Sequence, residues 1–170
     1  KHPDIESIIF DSMTMFVGVA IDAAVNTVKS ATFSNPGLKG FGTRNSLTVR
    51  AATVINKLAV KYNRNYVIIT HEDSPERDED GKVLSVPMLL GGKIANQLGL
   101  QLREIWCLAN TQSGRRIAVA PEWNRAPMKT TMFNPGNAKS FPWRFNPMTH
   151  EGDGLSKWVD LWRNTTGKID

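Results

Sequence analysis

The stretch Ile5-Glu6-Ser7-Ile8-Ile9-Phe10-Asp11-Ser12-Met13-Thr14 decides how the rest of the chain is read. Ile5–Phe10 is a short apolar run with β-branched residues, bounded by Pro3 and ending at a carboxylate, and it predicts a buried strand. Met13 to Ser30 then stays small and apolar with no breaker except Gly18, which predicts a mostly buried helix starting just after the strand. Ser34 to Asn45 holds Pro36, Gly37, Gly40 and Gly42 and reads as a loop. Ser46 to Tyr62 has apolar residues at 47, 49, 51, 52, 55, 58, 59 and 62, the spacing of a helix with Ser46 as its N-cap. Asn65–Thr70, with Tyr-Val-Ile-Ile at its centre, predicts a second buried strand.

Further along, Met88–Leu100 reads as a short helix after Pro87, and Arg103–Ala109 with Arg116–Ala120 as a β-hairpin. Residues 121–154 carry five prolines and predict no regular element. Leu155–Arg163 places Leu155, Trp158, Val159 and Trp162 on one face of a terminal helix. Strand–helix–strand order followed by a hairpin predicts an α/β fold with a parallel sheet and an antiparallel edge. The expected domains are an α/β core over 1–120 and a proline- and glycine-rich extension over 121–170.

The 170 residues are enough for one domain with a sizeable core, and a hydrophobic share of 41% with 22% charged residues argues against disorder. One cysteine, Cys107, excludes an internal disulfide, and with three histidines it argues against a Cys/His zinc cluster. The most apolar run, Met13–Val28, is interrupted by Asp22 and is too short for a membrane span. The chain opens Lys1-His2-Pro3-Asp4 without an initiator methionine, which reads as a fragment or a processed chain. Formal net charge is +5, and counted by halves the whole excess falls in residues 86–170. From 102 to 148, Arg103, Arg115, Arg116, Arg125, Lys129, Lys139 and Arg144 face only Glu104 and Glu122. Trp106, Trp123, Phe133, Phe141, Trp143 and Phe145 interleave with them. That mixture suits phosphates and stacked bases, and it equally suits a mildly basic surface over core tryptophans.

Two constellations carry chemistry. Asp11, at the carboxyl end of an apolar strand, lies where open α/β sheets bind ligands, and it also suits capping of the following helix. Val67-Ile68-Ile69-Thr70-His71-Glu72 ends the second strand in polar groups on what would be the same sheet edge, although His71 there equally suits an ordinary surface position.

The order Phe10-Asp11-Ser12-Met13-Thr14, apolar helix, glycine-bearing loop, helix, then Ile68-Ile69-Thr70-His71-Glu72 resembles the C-terminal half of a RecA-like ATPase core. It looks most like the small single-domain RecA-type ATPases of bacteriophages, and the likeness covers roughly Ile5 to Met132. The resemblance implies a three-layer core with ATP and Mg²⁺ as cofactors, Asp11 and Ser12 toward the metal, and His71 or Glu72 toward the γ-phosphate or attacking water. It implies that the loop Asp73–Pro87 contacts nucleic acid; the six acidic residues between Glu72 and Asp80 oppose this, leaving Arg77 and Lys82 as its cations, with Arg115 and Arg116 beside them. It implies Arg125 and Lys129 as cations reaching a neighbouring subunit's nucleotide in a ring or filament, though both equally suit plain exposed loop positions. The expected partners are nucleic acid, single-stranded DNA first, and further copies of the chain, with no membrane. The expected location is the cytoplasm of a phage-infected bacterial cell. The Walker A loop GxxxxGK[ST] is absent; Gly37-Leu-Lys-Gly40-Phe-Gly42-Thr43-Arg44 has the wrong spacing and follows a helix, so the loop is expected upstream of Lys1. Outside this likeness, segment 103–148 reads as a non-catalytic nucleic-acid-binding module, or the chain as a virion or assembly component.

Overall fold

The computed structural model describes residues 7–29, 32–91, 94–112, 114–125, 128–136, 139–143, 155–165 and 168. Expectations for Ile5, Glu6, Gly92 and the stretch 144–154, with Arg144 and Phe145, lie outside the described residues. The protein is mixed α/β, with small sheets and, among the described residues, four helices. It divides into two compact units: Lys1–Ser74 with Pro87–Gln101, and Pro75–Val86 with Leu102–Asp170. The hairpin expected to close the first domain therefore belongs to the second unit.

In the first unit, β1 (Ser7–Asp11) pairs in parallel with β2 (Asn65–Ile69), in register from Ser7↔Asn65 to Asp11↔Ile69. The connection between them is α1 (Met13–Thr27) followed by α2 (Gly37–Tyr62), the helical crossover that parallel strands require. Phe10 and Ile68 are register partners and pack, with Phe16 and Met88, on a core of Met13, Val17, Ala52, Leu90, Ile94 and Leu98. The strands are less buried than their sequences predict. Side chains alternate across a strand, so the Ile9–Val67 pair falls on the opposite face, and Ile9 is 65% exposed. A parallel sheet is normally covered on both sides.

The glycine-bearing segment is where sequence and structure part. It is not a loop: α2 begins at Gly37, with Pro36 in the N-cap position, and runs 26 residues to Tyr62. Gly37 has φ +61°, a conformation that suits glycine. Gly40, Arg44, Thr48 and Ala52 recur every fourth residue and form the buried face of α2, which packs against α1 with its buried Met13, Val17, Ala20 and Ala24. Tertiary packing of two faces rich in small residues outweighs the low helix propensity of three glycines. Asn63 ends the helix in the left-handed region, its N–H donating to the carbonyls of Ala59 and Val60. The unit closes with α3 (Ile94–Gln101), shorter than expected, which packs on α2; Thr53 Oγ1 donates to Gln101 Oε1 (3.1 Å).

In the second unit, β3 (Glu76–Arg77) and β4 (Val83–Ser85) form a small hairpin. β5 (Cys107–Thr111) and β6 (Gly114–Ala118) form the expected hairpin with a tighter tip. It does not extend the parallel sheet. It forms a separate three-stranded sheet with β7 (Ser140–Pro142), a strand inside the segment predicted to lack regular structure. Pro142 is tolerated because β7 is an edge strand. Trp158 of α4 (Leu155–Asn164) joins Ile117, Val119, Met132 and Phe133 in the core. Trp106, Phe133, Phe141, Trp143 and Trp158 meet edge-on or tilted, with ring centroids from 4.8 Å (Phe133–Phe141) to 6.3 Å (Phe141–Trp158) apart.

One carboxylate organises the loop beneath this cluster. Glu104 Oε1 accepts from Thr131 N (2.6 Å), Thr131 Oγ1 (2.7 Å) and Met132 N (3.2 Å). Its Oε2 accepts from Trp106 Nε1 (2.8 Å) and Thr130 Oγ1 (2.6 Å).

Candidate functional site

The carboxyl ends of β1 and β2 bring the first constellation together. β1 ends at Asp11, opposite Ile69, so Asp11 and the Thr70-His71-Glu72 segment share one edge of the sheet. Ser12 is the N-cap of α1: its Oγ accepts from Met15 N (3.3 Å), and the residue is buried. The Asp11–Ser12 peptide is cis. Two residues on, Thr14 Oγ1 accepts from the His71 backbone N–H (2.9 Å), tying the first turn of α1 to the segment after β2. On its other side, the His71 carbonyl accepts from Leu89 N (2.8 Å), and Glu72 bridges to Met88. Asp11, His71 and Glu72 are all exposed. The edge therefore presents the carboxylates of Asp11 and Glu72 and the His71 imidazole, the latter two on a backbone held at three points. Among the described residues no three His, Cys, Asp or Glu side chains gather as a metal cluster. With the Ser12 hydroxyl engaged in the cap, Asp11 is an exposed oxygen donor that could hold a divalent ion if water and phosphate oxygens completed the shell.

The remaining expected cations lie in the second unit and are not gathered into one cluster. Arg77 Nη1 donates to the Gly81 carbonyl (2.7 Å), and Asp78 Oδ1 accepts from the backbone of Asp80 (3.1 Å) and Lys82 (2.8 Å). The Arg77 side chain and the Lys82 backbone thus build the β3–β4 turn. Arg115 is exposed near the tip of β5–β6. Arg116 is half-buried and committed to Ser140, with Nε to Oγ (3.2 Å) and Nη2 to the carbonyl (2.8 Å). Arg125 follows a turn in which Trp123 and Asn124 have φ +52° and +59°; its Nη1 donates to the Trp123 carbonyl (3.0 Å). Lys129 is exposed, and its backbone pairs with Ile105. The aromatics interleaved with these cations mostly face one another in the core, so Trp106, Phe133, Phe141 and Trp143 offer no open stacking platform.

Sequence reasoning missed two features of the first unit. The first is Arg44, 8% exposed on the inner face of α2. Its Nε and Nη2 donate to Asn45 Oδ1 (2.9 and 2.7 Å), and its guanidinium lies 4.9 Å from the Phe41 ring centroid. No carboxylate faces it among the described residues, and burial lowers its pKa from the ordinary arginine value. A Cβ on Gly91, which has φ +72°, would stand 3.1 Å from Nη1 and Nη2. A buried guanidinium satisfied only by an amide and an aromatic ring keeps a net positive field, the reverse of what a purely structural ion pair provides. The second is the charge of α2 as a whole. From residue 23 to residue 71 the chain has no acidic residue, yet holds Lys29, Lys39, Arg44, Arg50, Lys57, Lys61 and Arg64. The signal was in the sequence, but Asp4, Glu6, Asp11 and Asp22 before it and the acidic run after it hide it when charges are counted by halves.

Among the described residues no helix is long and apolar enough to cross a membrane. Compared with protein-family models, with curated proteins and with solved structures, the chain finds no match.

Proposed function

We infer that this chain contributes to a RecA-like, ATP-hydrolysing core that acts on nucleic acid in recombination or replication. The observation that carries the reading is the placement of Asp11 and His71 at the same carboxyl edge of two adjacent parallel strands, linked by a helical crossover. That edge is where open α/β sheets bind their ligands. Asp11 would hold Mg²⁺ through water. Bound there, Mg²⁺ supplies neutralisation of the charge developing on the phosphate oxygens. His71 or Glu72 would orient the attacking water or report on the γ-phosphate, and the bond from the His71 N–H to Thr14 Oγ1 would relay the position of this segment to α1. The phosphate-cradling GxxxxGK[ST] loop is not among these residues, and in cores of this type it precedes the strand that β1 would represent. Arg125 and Lys129 would serve a neighbouring copy in a ring or filament.

The test is Asp11→Asn in the full-length protein. Loss of the metal-holding carboxylate removes several kcal/mol of charge stabilisation, so Mg²⁺-dependent ATP hydrolysis should fall on the order of 10²–10³-fold. The helical circular dichroism should not change, because Asp11 is exposed and Ser12, not Asp11, caps α1. Hydrolysis near the unmutated rate by a folded Asp11→Asn protein would remove the reading.

A further inference from the structure

Lys39, Thr43, Ser46, Arg50, Lys57 and Lys61 are spaced by four, three, four, seven and four residues along α2. At 100° per residue those spacings keep all six on one narrow stripe, and the buried face carrying Gly40, Arg44, Thr48 and Ala52 lies on the other side of the helix. From Lys39 to Lys61 the stripe runs about 33 Å at 1.5 Å per residue. All four cations are exposed, and among the described residues none is paired with a carboxylate. Two shallow surface cavities lie along it: one of about 500 Å³ against Lys39, Thr43, Ser46 and Arg50, and one of about 290 Å³ against Lys57 and Lys61. An ordinary solvated helix face mixes both signs of charge; this one carries a single sign, with hydroxyls between the cations.

We propose that this stripe of α2 is a binding surface for the phosphodiester backbone of nucleic acid. The inference rests on the reading that the chain acts on nucleic acid, and it moves the contact from the basic second half of the sequence to the first unit. Lysine and arginine neutralise phosphates while serine and threonine hydroxyls donate to their oxygens, contacts that fix position without reading sequence. Tyr62 adjoins the stripe only at its C-terminal end, with Lys61 Nζ 5.2 Å from its ring centroid, so most of the contact should not discriminate among bases. An anionic membrane would call for a continuous apolar boundary along the whole face; the exposed apolar residues flanking the stripe, Val54, Leu58 and Val60, are confined to its C-terminal part.

The experiment compares two quadruple variants of the full-length protein. One carries Lys39→Gln, Arg50→Gln, Lys57→Gln and Lys61→Gln. The other carries Arg103→Gln, Lys139→Gln, Arg163→Gln and Lys168→Gln, exposed cations of the second unit. Both remove four charges, so the overall field changes equally, and glutamine preserves helix propensity. The probe is a fluorescently labelled single-stranded oligonucleotide titrated across a salt series. With single strands each phosphate contact contributes about 0.7 to the slope of log affinity against log salt. The α2 variant should therefore lose up to about 3 from that slope, and at least tenfold in affinity at low salt; the control should keep both within about twofold. Equal loss in the two variants, or retention by the α2 variant, overturns the assignment to α2 while leaving the nucleic-acid reading in place. No binding by the unmutated protein overturns both. Vesicles of equal parts phosphatidylcholine and phosphatidylserine, and polyglutamate, complete the test. Stripe-dependent binding to either with the affinity of the oligonucleotide overturns nucleic acid as the ligand.

Discussion

Glu104→Gln changes one oxygen to a nitrogen and should destabilise the second unit by about 2–4 kcal/mol. The magnitude follows from donor counting at a half-buried group. Thr130 Oγ1 already accepts from Met132 N (3.1 Å) and Phe133 N (3.1 Å), so both its lone pairs are taken, and it can only donate to Glu104. Trp106 Nε1 is a donor and nothing else. An amide nitrogen in place of Oε2 therefore meets two donors with a third. Turning the amide over sets it against the backbone N–H groups of Thr131 and Met132 instead, which is no better. Each stranded donor costs roughly 1–3 kcal/mol, and partial access to water places the sum in the lower part of the range. All five tryptophans, at 106, 123, 143, 158 and 162, lie in the second unit, so tryptophan fluorescence reports its unfolding alone. With a urea slope of roughly 1–2 kcal/mol/M, the midpoint should fall by at least about 1 M. Trp106→Phe removes one stranded donor, so in that background the glutamine penalty should shrink by about 1 kcal/mol or more. A midpoint within error of the unmutated protein, or a penalty unchanged by Trp106→Phe, would show that this carboxylate does not organise the loop.

Three further substitutions test the packing. Gly37→Ala and Gly91→Ala both force alanine into φ near +60° to +70°, at roughly 1–2 kcal/mol each. Gly37 has open space around it while Gly91 faces the Arg44 guanidinium at 3.1 Å, so Gly91→Ala should cost about 1 kcal/mol more in urea unfolding followed by circular dichroism; equal costs would mean that the guanidinium is free to move aside. Phe133→Ala, at the centre of the aromatic cluster and 2% exposed, should cost about 3–5 kcal/mol by tryptophan fluorescence, and a loss below about 1 kcal/mol would mean that the cluster is not the core.

β1, β2 and their parallel pairing were legible because short β-branched runs at either end of a helical stretch leave little choice of topology. The first nine residues of α2 were not, because Pro36, Gly37, Gly40 and Gly42 are local breakers while the cause of the helix is not local. Gly40 and Ala52 matter through what they bury against α1, and spacing within one segment does not reveal the partner face. β7 was hidden for the same reason: Ser140-Phe-Pro142 becomes a strand only by pairing with β6.

The charge pattern shows how differently strands and helices arrange neighbouring residues. Interleaved arginines and aromatics between 103 and 148 looked like a surface for phosphates and bases, but a strand sends neighbouring side chains to opposite faces, so interleaving in sequence says nothing of a shared surface. There, Ile117 and Phe141 turn into the core while Arg116, beside them, is absorbed by Ser140. On a helix the same distance in sequence does the opposite. Cations four, seven or eleven residues apart are brought onto one side, which is what Lys39, Arg50, Lys57 and Lys61 show. Those four sit on a helix whose opposite face, through Ala52, helps to build the core on which Phe10 and Ile68 of the two strands pack. A polyanion held on the outer face of α2 would thus lie on the helix whose inner face shares a core with the two strands that end at Asp11 and Ile69.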